Sequence, residues 1–292
     1  DLADEGNQQK HMSYRVIFIP GGFKPPTNGH IDLIRRYAEV ADCVFIVTAG
    51  TPRKITEEWF VTHEQSRKII ELYARNLPNN PFAAGKIHYI TTEERENPIG
   101  MVIDMIAGHK LVNIDGIATP KTFKTEDEKQ IWDKRVKFAK FFKDVEAFAG
   151  NKQIEISIGS SSKGRDMQRT YDLVEYFHKN PQLLPDKVKV THPPLIPSPF
   201  KVDGVEVSAS DMRKALAACE RENVRKYIPY DSDELLDQVL DILEYSKHCH
   251  YNVVESSGAG SGGVAGYASP FMSGEKLKEK KKVSKLTKLD EQ

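Results

Sequence analysis

The chain has 292 residues, 39% of them hydrophobic and 29% charged, which is enough to bury a large core, either as one domain or as a domain with appendages. Its 42 basic and 42 acidic side chains cancel, so overall charge argues against a polyanionic partner and any basic surface must be local. No apolar run is long enough to cross a bilayer and no signal-peptide core is visible, so no membrane segment is expected.

The opening DLADEGNQQKHM is polar, and residues 1–13 read as a disordered arm or an appended sequence ahead of a natural start at Met12. Tyr14 to Pro20 is a short β-rich apolar run closed by Pro-Gly-Gly. Ile31, Ile34, Tyr37 and Ala38 then keep helical spacing. DCVFIVTAG, ending at Gly50, is a second buried strand, and Thr62 with Gln65 forms a capping box for a helix to about Arg75. KIHYITT is a third strand, and PIGMVIDMIAG a short helix ended by Gly108. KQIEISIG is a fourth strand, GRDMQRTYDLVEYFHKN a helix, and DKVKVTHPP a fifth strand. Strands alternating with helices at this pitch predict an open, parallel five-stranded sheet with helices on both faces, in one domain over residues 14–250.

Residues 109–150 interrupt that pattern. They hold an apolar run, KLVNIDGIA, and a helix capped by Thr125 and Glu128 with Trp132, Val136, Ala139 and Phe142 on one face. This reads as a helical insertion, serving as a lid, as the surface of a homo-oligomer, or as plain packing. Residues 251–292 form a Gly/Ser-rich linker and a Lys-rich flexible tail; the tail is either solvated or a local contact to a partner or nucleic acid. Cys43, Cys219 and Cys249 are odd in number and at no metal-like spacing, and Cys43 and Cys219 read as small buried hydrophobes, which predicts a reducing, cytoplasmic location. His248, Cys249 and His250 do not share a helix face, so no metal site is expected there.

The stretch most informative about function follows the first strand, where an open parallel sheet binds its ligands. In GGFKPPTNGH, Gly21 and Gly22 let the backbone turn and approach a ligand, and Pro25 and Pro26 stiffen the loop. Thr27 or Asn28 caps the next helix, whose free N–H groups favour an anion, and His30 falls in its first turn. That suits a phosphate, although neither a P-loop ending nor a dinucleotide fingerprint is present.

The segment resembles the signature of the HIGH-motif nucleotidylyltransferase superfamily, with Gly22, Phe23, Pro25, Gly29 and His30 at its fixed positions. Thr27 matches the phosphopantetheine adenylyltransferase form of it. A second stretch, VSASDMRKAL, resembles the superfamily's late Ile-Ser-Ser-Thr-x-x-Arg motif through Val207, Ser208, Ser210 and Arg213, departing at Ala209. Ser208 with Asp211 is also a capping box. The acid expected after Gly159 and Ser160 is replaced by Ser161, beside Lys163, Arg165 and Arg169.

The resemblance, which covers about residues 14–220, implies a Rossmann-like fold. It implies transfer of a nucleotidyl group, adenylyl before cytidylyl, from a nucleoside triphosphate to a small phosphorylated acceptor, with release of pyrophosphate. Nicotinamide mononucleotide and phosphopantetheine are the acceptors it points to. It assigns catalysis to Thr27, His30, Lys54 and Arg213, and nucleotide contacts to Gly21, Gly22, Phe23, Gly29, His30, Gly159, Ser208, Ser210 and Arg213. Acceptor contacts fall to Arg53, Lys54 and Trp59 in TPRKITEEWF. Mg²⁺ is expected to arrive with the triphosphate, since no carboxylate cage is visible. Two rivals differ: an aminoacyl-tRNA synthetase would need a Lys-Met-Ser-Lys-Ser run, which is missing, and a non-catalytic scaffold of the same fold would act through the basic tail.

Overall fold

The computed structural model describes residues 13–91, 97–111 and 123–249. Five parallel strands, β1 (Ser13–Gly21), β2 (Cys43–Thr48), β5 (Ile87–Thr91), β6 (Gln153–Ile158) and β7 (Val188–Val190), form one sheet in the order β5-β2-β1-β6-β7. Two short hairpins lie outside it: β3 (Arg53–Lys54) with β4 (Phe60–Val61), and β8 (Lys201–Val202) with β9 (Val205–Glu206). This is the Rossmann-like parallel sheet that the alternating pattern predicts.

β1 and β2 are apolar on both faces because both faces are covered. Val16, Phe18, Cys43, Phe45 and Val47 face one layer, with the Phe18 and Phe45 rings stacked 5.2 Å apart. Three helices cover that layer: α3 (Pro98–Leu111), α4 (Glu126–Ala149) and α5 (Gly164–Lys179). Ile17, Ile19, Val44 and Ile46 face the other side, under α1 (Asn28–Val40) and α2 (His63–Arg75). A third cluster lies beyond α2, where Ile69 and Tyr73 meet α6 (Ala209–Ala217), α7 (Arg221–Val224), α8 (Asp233–Ile242) and α9 (Tyr245–His248).

The cap on α2 is reciprocal: Gln65 N–H donates to the Thr62 hydroxyl at 3.2 Å, and Thr62 N–H to Gln65 Oε1 at 2.9 Å. At α4 only half of the expected box forms. Glu128 N–H reaches Thr125, but the Glu128 carboxylate accepts from Lys124 N–H at 2.8 Å instead. α3 does not stop at Gly108 but runs to Leu111. Glycine inside a helix costs only about 1 kcal/mol against alanine, and Met101, Met105 and Ile106 hold this helix to the sheet.

The far end of α4 is core rather than appendage, since Phe142, Val145 and Ala149 are buried with the sheet's residues, while Trp132 and Val136 are half-buried. The side chain of Ala139, most of KLVNIDGIA, and the arm and tail (residues 1–12 and 250–292) lie outside the described residues.

The cysteine reading is corrected. Cys43 is a free, buried thiol as expected, but Cys219 and Cys249 form a disulfide, so cysteine usage no longer argues for a reducing compartment. Spacing along the chain carried no sign of that pair, because α7, α8 and α9 must fold back before the two meet. Among the described residues, no helix is long and apolar enough to cross a membrane.

Candidate active site

A cavity of about 500 Å³ opens beyond the carboxyl ends of β1 and β6. Four helices begin at its wall, contributing His30 from α1, Ile99 from α3, Asp166 from α5 and Ser208 at the start of α6. Helix N-termini present unpaired N–H groups and the positive dipole end, so the cavity favours an anion before any side-chain charge is counted.

The loop after β1 is pinned at alternate carbonyls. The Thr48 hydroxyl donates to Gly22 O at 3.0 Å, Arg213 Nη1 to Lys24 O at 2.5 Å, and the Tyr73 hydroxyl to Pro26 O at 3.3 Å. Asn28, 5% exposed, donates to Lys226 O at 2.9 Å and accepts from Gly29 N–H. Phe23 sits at φ +48°, a conformation most side chains avoid, and its ring packs edge-on to His30 at 4.9 Å. The expected cap is Thr27, the N-cap of α1, not Asn28.

His30 is oriented by its own helix start. Thr27 N–H donates to His30 Nδ1 at 3.0 Å, and the Thr27 hydroxyl lies 3.2 Å from the same nitrogen. An accepting Nδ1 leaves the ring proton on Nε2. Burial, then the Lys163 ammonium, pushes the His30 pKa down to about 4, so the imidazole is neutral at pH 7 and offers a hydrogen-bond donor, not a charge.

The late motif comes to the same loop. Ser208 caps α6 by accepting from Asp211 N–H at 3.2 Å and donates to the Asp211 carboxylate at 2.6 Å, which holds that carboxyl below its usual range. Arg213 spans from Ser210 Oγ (2.9 Å) to Lys24 O, so two stretches nearly 190 residues apart are joined by one guanidinium. Burial, then the Arg53 charge, lowers the Arg213 pKa.

Of the residues assigned by resemblance, Gly21, Gly22, Phe23, Thr27, Gly29, His30, Arg53, Gly159 and Ser208 line the cavity. Arg213 and Ser210 do not line it; Arg213 holds the loop at Lys24 O. Lys54 does not line the cavity and pairs with Glu57, since neighbouring strand residues point to opposite faces. Trp59 is placed elsewhere as well: it is 2% exposed, its indole N–H donates to Leu243 O at 2.8 Å, and it stacks on His248, leaving no face for an acceptor ring. Gly159 lines the cavity, but a Cβ there would stand 2.7 Å from the Tyr37 ring, so packing alone requires glycine.

Lys163, Asp166 and Arg169 also line the cavity, with Lys163 paired to Glu206 at 3.4 Å and Arg169 to Asp166 at 3.3 Å. Thr48 and Lys24 stand at no fixed motif position in the sequence, yet both hold the loop. Thr48 ends a strand beside the glycine loop, and Lys24 is a charge inside a stiff apolar turn; only these positions marked them. Among the described residues no group of three metal-ligating side chains occurs.

No family model matches the chain. It is similar to the phosphopantetheine adenylyltransferase of Natranaerobius thermophilus, 33% identical over 92 residues, covering 30% of this chain and 52% of that protein. It is likewise similar to the phosphopantetheine adenylyltransferase of Aquifex aeolicus, 35% identical over 68 residues, covering 23% of this chain and 40% of that one. The chain thus spans about half the length, or less, of these curated relatives. Among solved structures, the Plasmodium falciparum nicotinic acid mononucleotide adenylyltransferase complexed with APC aligns over 81% of this chain and 98% of its own, at 14% identity and a TM-score of 0.37, too low for an argument to rest on.

Proposed function

We propose that this chain, a member of the nucleotidylyltransferase superfamily to which its curated relatives belong, is an adenylyltransferase acting on a small phosphorylated acceptor. The observation that carries the reading is the neutral His30, fixed by Thr27 with its Nε2–H as the remaining donor, in a cavity ringed by helix N-termini. The acceptor is phosphopantetheine or a nicotinate or nicotinamide mononucleotide. ATP is favoured over CTP because the matched relatives are adenylyltransferases.

A phosphate acceptor is already an ionised nucleophile, so the protein needs no base. Its oxygen attacks the α-phosphorus of MgATP in line, the bond to the bridging oxygen breaks, and pyrophosphate leaves. Mg²⁺ enters with the triphosphate as part of the substrate. His30 Nε2–H and the α1 N-terminus stabilise charge on the triphosphate, while Arg53 and Lys163 supply cations at the wall. Ser208 and Ser210 act through α6 and Arg213 rather than by direct contact alone.

The test is pyrophosphate release from MgATP, with CTP as comparison, across a panel containing phosphopantetheine and both mononucleotides. His30→Ala is expected to lower kcat by about a hundred-fold or more. Full turnover in that variant would remove His30 from the site, and silence of the unaltered protein with every pair would remove the activity.

A further inference from the structure

Among the described residues, those beyond α6 line no part of the cavity, yet they hold two of its walls. Ser208, at the start of α6, lines one wall and Arg53, in the β3–β4 hairpin, lines another. Behind both lies the cluster in which Trp59, Met212, Leu216, Leu240 and Leu243 are buried together. Trp59, in the turn of the hairpin, donates its indole N–H to Leu243 O and stacks on His248 of α9, with ring centroids 4.8 Å apart and planes 10° from parallel. The next residue is Cys249, bonded to Cys219 just past the end of α6. One covalent bond therefore closes a path of contacts that runs from Arg53 through Trp59, His248, Cys249 and Cys219 to Ser208.

Two observations mark this bond as more than a staple. α9 is four residues long, too short to hold a helix by itself, so its place against Trp59 depends on packing and on the tether. Cys219 sits at φ +55°, a left-handed helix end where glycine is the usual residue, and the side chain there has a conformational cost that bonding to Cys249 offsets. Access is one-sided as well. Cys219 is exposed and Cys249 only 5% exposed, so an incoming thiol reaches the bond from the Cys219 side.

We propose that the Cys219–Cys249 disulfide is a redox-sensitive clamp on the cavity: oxidised, it holds the Arg53 hairpin and α6 together; reduced, it frees α9 from Trp59 and lets the Arg53 wall move. The reductant is a dithiol. Its thiolate attacks Cys219 Sγ, the S–S bond breaks, and Cys249 leaves as a thiolate. The second thiolate of the reductant then displaces Cys219, so the dithiol becomes a disulfide and its two protons end on the two cysteines. Leu216 O, 3.8 Å from Cys249 Sγ, is the acceptor for the thiol formed there. The inference rests on the adenylyltransferase reading for which substrate feels the change, but not for the clamp itself.

The experiment compares the unaltered full chain, oxidised and reduced by dithiothreitol, by hydrogen exchange without denaturant, with thiol titration to confirm the reduction. Reduction should speed amide exchange in residues 53–61 and 243–249 about ten-fold while β1 and β2 keep their rates. In pyrophosphate assays it should raise KM for the acceptor about five-fold or more, with kcat within about two-fold because Thr27, not the clamp, orients His30. Reoxidation should restore the first value. Cys249→Ser should match the reduced protein and ignore dithiothreitol. Cys219→Gly, which suits the left-handed position but removes the bond, should match the reduced protein too. If Cys219→Gly keeps the oxidised exchange and KM, α6 alone sets the site and the proposal is overturned. Unchanged exchange at 53–61 on reduction of the unaltered protein overturns it even if both variants fail to fold, and so does an unchanged KM in the active, reduced enzyme. Faster exchange on reduction, in a protein that releases no pyrophosphate with any acceptor, refutes the adenylyltransferase reading and leaves the clamp standing.

Discussion

At Gly22 a Cβ would meet nothing within 4 Å, because it would stand in the cavity itself, whereas at Gly159 it would stand 2.7 Å from the Tyr37 ring. The same letter does two jobs, and the sequence reading gave both glycines to the nucleotide. Gly22→Ala is expected to keep its unfolding free energy within about 0.5 kcal/mol while raising KM for the nucleotide. Gly159→Ala is expected to lose about 1–3 kcal/mol in urea denaturation through overpacking. Equal stability loss in the two would contradict this division. Lys54 and Trp59 carry the same lesson: the resemblance put forward the lysine and its flat ring the tryptophan, but side-chain direction along a short hairpin sent one to Glu57 and the other to Leu243 and His248.

Elements were more legible than residues. Strand and helix signals over β1, α1, β2, α2 and β6 lie where apolar periodicity and caps put them, because both are local properties of the chain. The late motif was legible in the same way, since Ser208 and Asp211 form a cap whatever the function. Ser208→Ala should therefore cost about 1 kcal/mol of stability by thermal or urea unfolding, apart from any change in turnover. Where local signals misled, packing overrode them. α3 passes through Gly108 because its apolar residues are anchored on the sheet, while the far end of α4 follows the plain-packing reading of residues 109–150, with Phe142, Val145 and Ala149 completing that layer. The motif loop was recognisable, but the partners of its carbonyls were not; Thr48, Tyr73, Asn28 and Arg213 come from four elements.

At the scale of the molecule, the Cys219–Cys249 disulfide closes a 30-residue separation around α7, α8 and α9, joining the end of the late-motif helix to the end of α9, whose His248 stacks on Trp59. By loop entropy alone it contributes about 3–4 kcal/mol. Cys219→Ser, or reductant on the unaltered protein, is expected to lower the urea midpoint correspondingly; no shift would mean the helices hold without it. By itself, the order of residues determined the parallel sheet, the position of the anion-binding loop after its first strand, and the late cap, because hydrophobic period, glycine and proline act over a few residues at a time. Only the tertiary structure decided that Cys219 meets Cys249, that Trp59 is core, and that Arg213 closes on the carbonyl of Lys24. Those pairings join residues 30 to nearly 190 positions apart, and burial and charge compensation, which act through space, select them.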